Sequence, residues 1–257
     1  MNRIENTFGN EVYEAVSEVG RSGMNLLETL KYIAMGKVNI NDTAVQIVKA
    51  GIGSIFIVVI TAAFIGLAMA TQLAKEFQKF GADSFVGGLI SVANVRELAP
   101  VIACIVVAGR VGASISAEIG SMKMSEQIDA LSVLGINPIK YLLVPRLISA
   151  SLVSPLLTII AALVSIISGM FLAKASIGLN YSTYLNSIRQ FLQVSDVFVM
   201  MLKSMVFGGA IAIIATTTGL EVKGSAEAVG NAATKTVVWS IILIFVFNYI
   251  ITSIFFY

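Results

Sequence analysis

The sequence predicts an all-α membrane protein: an N-terminal interfacial helix, five transmembrane helices and a cytoplasmic surface helix between the second and third spans. Three observations lead there. Hydrophobic residues make up 57% of the 257-residue chain and charged residues 12%, with a mean hydropathy of +0.89, far outside the range of soluble domains. Long apolar runs recur at about the 20-residue length that crosses roughly 30 Å of hydrocarbon as helix. Between two of those runs lies a charged, amphipathic segment, residues 121–134.

Each element follows from its own pattern. In the N-terminal region, residues 1–45, Val12, Val16, Val19, Leu26, Leu27 and Leu30 recur at helical spacing, while Glu11, Glu14, Glu18, Arg21, Glu28 and Lys31 fall elsewhere. That is an interfacial helix whose polar face is as acidic as it is basic, so packing against its own spans is expected alongside contact with lipid. Residues 50–74, 147–173 and 236–257 are uncharged and long enough to span with some tilt. Residues 98–117 are interrupted by Arg110 and residues 197–220 carry Lys203 near one end, two spans with a polar cost. Pro155 lies inside the third span, where its missing donor predicts a bend unless neighbours satisfy the freed carbonyl. No internal repeat, low-complexity tract or linker divides the chain, so residues 46–257 are expected to form one five-span bundle and 1–257 one domain.

Placing residues 1–49, 110–146 and 221–235 on one side gathers eleven of the seventeen Lys and Arg residues there. By the positive-inside rule that side is the cytoplasm, which puts the N-terminus inside and the C-terminus at the outer interface, where Phe255, Phe256 and Tyr257 suit an aromatic belt. Small residues recur every fourth position as Ala62, Gly66, Ala70, as Gly112, Ser116, Gly120 and as Gly208, Ala212, Thr216. Such stripes allow close backbone approach, within or between subunits.

Several functions are excluded or demoted. There is no Walker-type phosphate loop, so nucleotide chemistry belongs to another polypeptide if it occurs at all. With no histidine and one cysteine, Cys104, histidine relays, Cys/His metal cages and intrachain disulfides are out. A formal charge of +2 with scattered basic residues does not suit nucleic acid. The polar N-terminus reads as no cleaved signal peptide.

Read as one helix, residues 121–134 put Met124, Ile128, Leu131 and Leu134 on one face and Lys123, Glu126 and Asp129 on the other, with Gly135, Asn137 and Pro138 ending it. About fourteen residues make a rod of roughly 21 Å on the membrane surface. Its pattern alone leaves a solvated connecting loop as the alternative.

The runs Arg96-Glu97-Leu98-Ala99-Pro100-Val101, Ala108-Gly109-Arg110-Val111-Gly112-Ala113, Ala117-Glu118-Ile119-Gly120-Ser121-Met122-Lys123, Glu126-Gln127-Ile128-Asp129-Ala130-Leu131, and Gly135-Ile136-Asn137-Pro138 through Val144-Pro145-Arg146 resemble the MlaE family. A second match lies in residues 224–238, before the last span. These are permease subunits of ATP-driven lipid transporters that work with MCE-domain proteins, and the resemblance in length and span order covers essentially the whole chain. It implies a homodimeric, non-catalytic permease of the bacterial inner membrane moving phospholipid, which contributes to outer-membrane lipid homeostasis. The implied partners are a cytoplasmic ABC ATPase, a periplasmic MCE-domain lipid-binding protein and a small STAS-domain protein. This chain would bind no cofactor, with ATP and Mg on the ATPase.

The resemblance also implies that residues 118–134 form a coupling helix seated on the ATPase. Glu118, Glu126 and Asp129 would make polar contacts there, Met122 and Met124 an adaptable apolar seat, and Gly120, Lys123, Gln127 and Leu131 the remaining surface. Candidates for the lipid path are Arg96, Glu97 and Leu98 at the outer start of span two, with Pro100 in its first turn, and Arg110 deeper. Arg96 and Glu97 would meet a headgroup or form an ion pair anchoring the helix end. A charge at Arg110 costs about 2.5–3.5 kcal/mol at mid-bilayer, so it should snorkel or find a partner, Glu118 being the nearest along the helix. Two other classes compete. A secondary transporter or ion channel would use Arg96, Glu97, Arg110 and Glu118 as an ion path, against an odd span count and no inverted repeat. An intramembrane enzyme would need carboxylate chemistry.

Overall fold

The computed structural model describes residues 20–36 and 38–256. Helix α1 occupies residues 20–34, and the remaining helices follow. They are α2 (Ile40–Lys79), a second span of α3 (Val86–Ala93), α4 (Ala99–Val107) and α5 (Ala113–Met124), the short α6 (Gln127–Val133), α7 (Val144–Ile177), α8 (Tyr181–Phe191), α9 (Val194–Leu220) and α10 (Ala226–Phe256). π-helical turns at Asn94–Leu98 and Ala108–Gly112 join α3, α4 and α5, and a third, Ile139–Leu143, opens the third span. Among the described residues there is no strand, and five helical stretches are long and apolar enough to cross a membrane. The protein is thus a multi-pass membrane protein with α1, α6 and the 221–225 connection at one end and α8 at the other.

The helices outrun the uncharged segments that predict them. Asn39 caps α2, its side chain accepting from the Asp42 backbone N–H, so the bundle begins at Ile40 instead of residue 46. The helix then continues through Lys75, Glu76 and Lys79 until Gly81, at φ 65°, ends it. An uncharged run measures hydrocarbon thickness, and a helix keeps its backbone bonds in water beyond it. Residues 226–235, expected as a connection, are likewise the first turns of α10. Pro155 does not end the third span: α7 is helical throughout Val144–Ile177.

Packing is governed by small residues four apart. Along α2 the buried positions are Thr43 in the first turn and then Ala50, Ser54, Val58, Ala62, Gly66, Ala70 and Ala74, a ridge that lies on α7. A Cβ on Gly66 would strike the Ser165 carbonyl and the Ser168 hydroxyl, and one on Gly169 would sit 3.3 Å from the Gly66 carbonyl. The other two stripes also close inside the subunit. Gly112 faces Ile211 and Thr236, Gly120 faces Val222, and Gly208 sits on the Ala150 carbonyl. Gly66→Leu is therefore expected to lower the thermal midpoint in detergent by an overpacking cost of about 1–3 kcal/mol or more. Gly230→Ala, at an exposed α10 position with nothing within 4 Å, should raise it slightly. Equal midpoints for the two variants would rule out this packing.

Two peripheral helices complete the chain. On α1, Leu26 and Ile33 pack against Leu147, Ala150, Ala212 and Ile213 while Met24, Leu27 and Leu30 stay exposed, so both expected contacts of this helix have residues to make them. The N-terminal part of that pattern, through Val19, lies outside the described residues. At the other end α8, which the sequence reading did not anticipate, lies on α3. Gly87 and Gly88 admit the backbones of Tyr184 and Ser187, and the Ser187 hydroxyl accepts from the Gly88 N–H at 2.8 Å. Tyr184 is fully buried there, and burial pushes its phenol above the usual tyrosine range.

Candidate functional site

Arg96 and Glu97 do not stand at the start of span two. The helix begins ten residues earlier at Val86, so both side chains sit in the π-helical turn Asn94–Leu98, among spans two, four and five. They do not pair with each other. Arg96 Nε donates to Asp196 Oδ1 at 3.0 Å, and its guanidinium lies 4.4 Å from the Phe256 ring centre. Asp196 is fully buried because it also caps α9, accepting from the Gln193 N–H at 3.0 Å. Glu97 accepts from Lys203 Nζ at 3.1 Å, Thr252 Oγ1 at 2.8 Å and Asn248 Nδ2 at 2.5 Å.

Lys203, also fully buried, uses all three ammonium protons. Besides Glu97 it donates to Thr252 Oγ1 at 2.7 Å and to the Arg96 carbonyl at 2.6 Å. That carbonyl is available because Pro100, four residues on, has no N–H to give it. Pro100 is in the first turn of α4, inside span two, and it frees the backbone oxygen that helps to hold Lys203. Two cations and two carboxylates balance, which is what makes four charges tolerable at this depth. Among the described residues the buried Asn248 Oδ1 has no partner, and Arg96 and Glu97 keep 33% and 39% of their side-chain surface exposed. Leu98 is half-buried beside them.

At the opposite end the expected single helix over residues 121–134 is two helices meeting at a corner. α5 ends at Met124, Ser125 turns its hydroxyl back onto the Ser121 carbonyl at 2.8 Å, and Glu126 adopts the left-handed conformation at φ 57° before α6 begins. Gln127 Nε2 donates to Ser125 Oγ at 3.0 Å, and Lys123 reaches across the corner to Asp129 at 2.7 Å. Local side-chain bonds of this kind compete with helical continuation. As a result Met122 and Lys123 are half-buried at the tip of α5, and Gly120 is buried against Val222. Of the apolar face, Ile128 is buried and Leu131 half-buried, but Met124 and Leu134 face outward, along with Val133 at 88% exposure. Glu126, Gln127 and Asp129 are exposed.

Glu118 is occupied. Its carboxylate accepts from Arg146 Nη2 and from Lys49 Nζ, each at 3.0 Å, which ties span two to spans one and three. It does not reach Arg110, whose Nη1 donates instead to Ser54 Oγ at 3.2 Å. The Arg110 guanidinium lies against the backbone of α2 where a Cβ on Gly53 would collide with it.

Sequence reading missed Asp196, Asn248 and Thr252 and saw Lys203 only as a cost to its span. A signal was present: Asp196 and Lys203 are seven apart on α9, and Asn248, Thr252 and Phe256 four apart on α10, so each set shares one helix face.

Comparison with known proteins places these residues in a family context. The family described as Permease MlaE matches residues 43–254. A probable ABC transporter permease protein of Synechocystis sp. is 41% identical over 221 residues, covering 86% of this chain and 84% of the relative. A probable ABC transporter permease protein of Rickettsia bellii is 36% identical over 253 residues, 98% of both chains. The Arabidopsis thaliana protein trigalactosyldiacylglycerol 1, chloroplastic, is 37% identical over 235 residues, 91% of this chain and 66% of the relative.

Proposed function

Because the chain belongs to the MlaE permease family, we propose that it is the membrane subunit of an ATP-driven transporter that moves phospholipid. In this reading a separate cytoplasmic ATPase carries ATP and Mg, and this chain, a single permease unit that binds no cofactor, does no chemistry of its own. It works as a homodimer in the bacterial inner membrane, N-terminus in the cytoplasm, exchanging lipid with a periplasmic MCE-domain protein and contributing to outer-membrane lipid homeostasis, with a small STAS-domain protein as a further partner.

The observation that carries the reading is the α5–α6 corner. An exposed glutamate in the left-handed region is strained by about 1 kcal/mol or more, and its side chain has no partner among the described residues to offset that cost. Beside it stand Gln127, Asp129, Met124, Val133 and Leu134, a polar and apolar surface left uncovered at the tip of two spans. A rigid-body closure of ATPase subunits acting on this corner would move span two directly. Gly120, Met122, Lys123 and Leu131 hold the corner in place from behind, and Glu118 braces it through Arg146 and Lys49.

The basic side of the chain supports the cytoplasmic placement of α6. A lipid substrate is supported by the Arabidopsis relative, whose name carries a diacylglycerol lipid. The Arg96–Glu97 cluster, with Leu98, lies at the α8 end and is the outer candidate contact for a headgroup. A channel or proton path through Arg96, Glu97, Arg110 and Glu118 is countered at its outer end, where Arg96 pairs with Asp196 and Glu97 with Lys203. Mass spectrometry of extracts from gently solubilised, full-length protein is expected to find phospholipid at about one molecule or more per dimer. Protein that is free of lipid, yet folded and able to bind ions, would overturn the lipid assignment.

A further inference from the structure

The charges at the α6 end of the bundle do not balance as those of the outer cluster do. Glu118 is shared between Lys49 and Arg146, and it does not reach Arg110. Arg110 is left with five N–H donors and, among the described residues, one side-chain partner, the Ser54 hydroxyl. Beside it a cleft of about 180 Å³ opens between α2 and span two, its polar lining supplied by Gln46, Lys49, Arg110, Ser114 and the Glu118 carboxylate that Lys49 already pairs, and its wall by Ala50, Val111 and Ile115. Gly53 is what lets the guanidinium lie in this position. A site with one surplus positive charge, that of Arg110, hydroxyl and amide donors and an apolar wall is complementary to a phosphodiester carrying acyl chains, and its volume suits a headgroup, not two tails.

We infer that this cleft binds the phosphate of a phospholipid taken from the leaflet on the α6 side, as a second lipid site on the span that carries the Arg96–Glu97 cluster. Arg110 neutralises the phosphate, Ser114 and Gln46 donate to its oxygens with Lys49 held beside them by Glu118, and the acyl chains extend from the mouth of the cleft into the bilayer. Fourteen residues of helix separate Arg96 from Arg110, about 21 Å. That is most of the roughly 30 Å hydrocarbon thickness, so the two sites fall near opposite leaflets, each in a π-helical turn of the same span. The inference rests on the chain being a lipid permease and adds where a lipid enters or leaves it on the α6 side.

The test uses full-length protein carrying a photoreactive benzophenone residue at Gln46, or separately at Leu98, in vesicles of phosphatidylethanolamine and phosphatidylglycerol. Illumination is expected to give a phospholipid adduct at Gln46. Arg110→Gln should lower it at least about tenfold, as loss of a charge-assisted hydrogen bond does. Ser114→Trp, which fills the cleft without changing its charge, should lower it similarly. The Leu98 adduct should be unchanged by both. No adduct at Gln46, or one indifferent to both variants, overturns the inference. So does an adduct displaced by inorganic phosphate, since the ligand is then a soluble anion. A Gln46 adduct that depends on Arg110 in protein giving none at Leu98 supports this cleft while counting against the outer headgroup contact.

Discussion

Lys203→Met is expected to destabilise the permease by about 3–5 kcal/mol, the usual cost of removing one partner of a buried ion pair. The side chain is fully buried and makes three hydrogen bonds, to Glu97, Thr252 and the Arg96 carbonyl. Methionine fills similar volume but leaves the Glu97 carboxylate with two neutral donors, Asn248 and Thr252, and no cation. It also orphans the carbonyl that Pro100 cannot serve. For a chain of this size the loss corresponds to a drop of roughly 6–20 °C in thermal midpoint. Glu97→Gln added to Lys203→Met removes the stranded charge and should restore a large part of it. A single variant as stable as the parent would mean that the cluster does not hold spans two, four and five together.

The five spans and their order were legible because bilayer thickness imposes a length that apolar runs report directly. The small-residue stripes were legible too, though whether they closed within or between subunits was not: Gly66 and Gly208 show their partners only in three dimensions. α8 escaped notice because its pattern is short: Tyr181, Tyr184, Leu185 and Ile188 recur at helical spacing, but within a helix of only eleven residues. The corner at Glu126 escaped for a different reason. Helical spacing runs unbroken from Met124 to Leu134, and only Ser125 and Gln127, whose side chains bond locally, mark the interruption. For the polar cluster, Arg96 and Glu97 were visible as residue types. Their partners lie a hundred or more positions away, and a lone Lys203 in a span looks like a cost until Glu97 is set beside it.

Charge reversal at the corner is the second large effect. Glu126 has no internal partner among the described residues, so Glu126→Lys should leave the fold intact, whereas Asp129→Lys also breaks the Lys123 pair and sets two cations face to face. Glu126→Gly is the matching control, since glycine adopts φ 57° without strain and should be at least as stable as the parent. The proposed coupling predicts that Glu126→Lys weakens ATPase retention and that Glu126→Lys with Asp129→Lys abolishes it, with the thermal midpoint of the first variant close to that of the parent.

The measurement that bears most directly on the whole account is ATP hydrolysis by affinity-purified, full-length protein taken with whatever subunits it retains. Parent protein and Gly230→Ala should bring down an ATPase and hydrolyse ATP, and Glu126→Lys with Asp129→Lys should lose the ATPase polypeptide and at least about tenfold of the activity, an interface loss of roughly 1.4 kcal/mol or more. Retention of the ATPase and full hydrolysis in the reversed variant would contradict the assignment of the α5–α6 corner as the coupling surface.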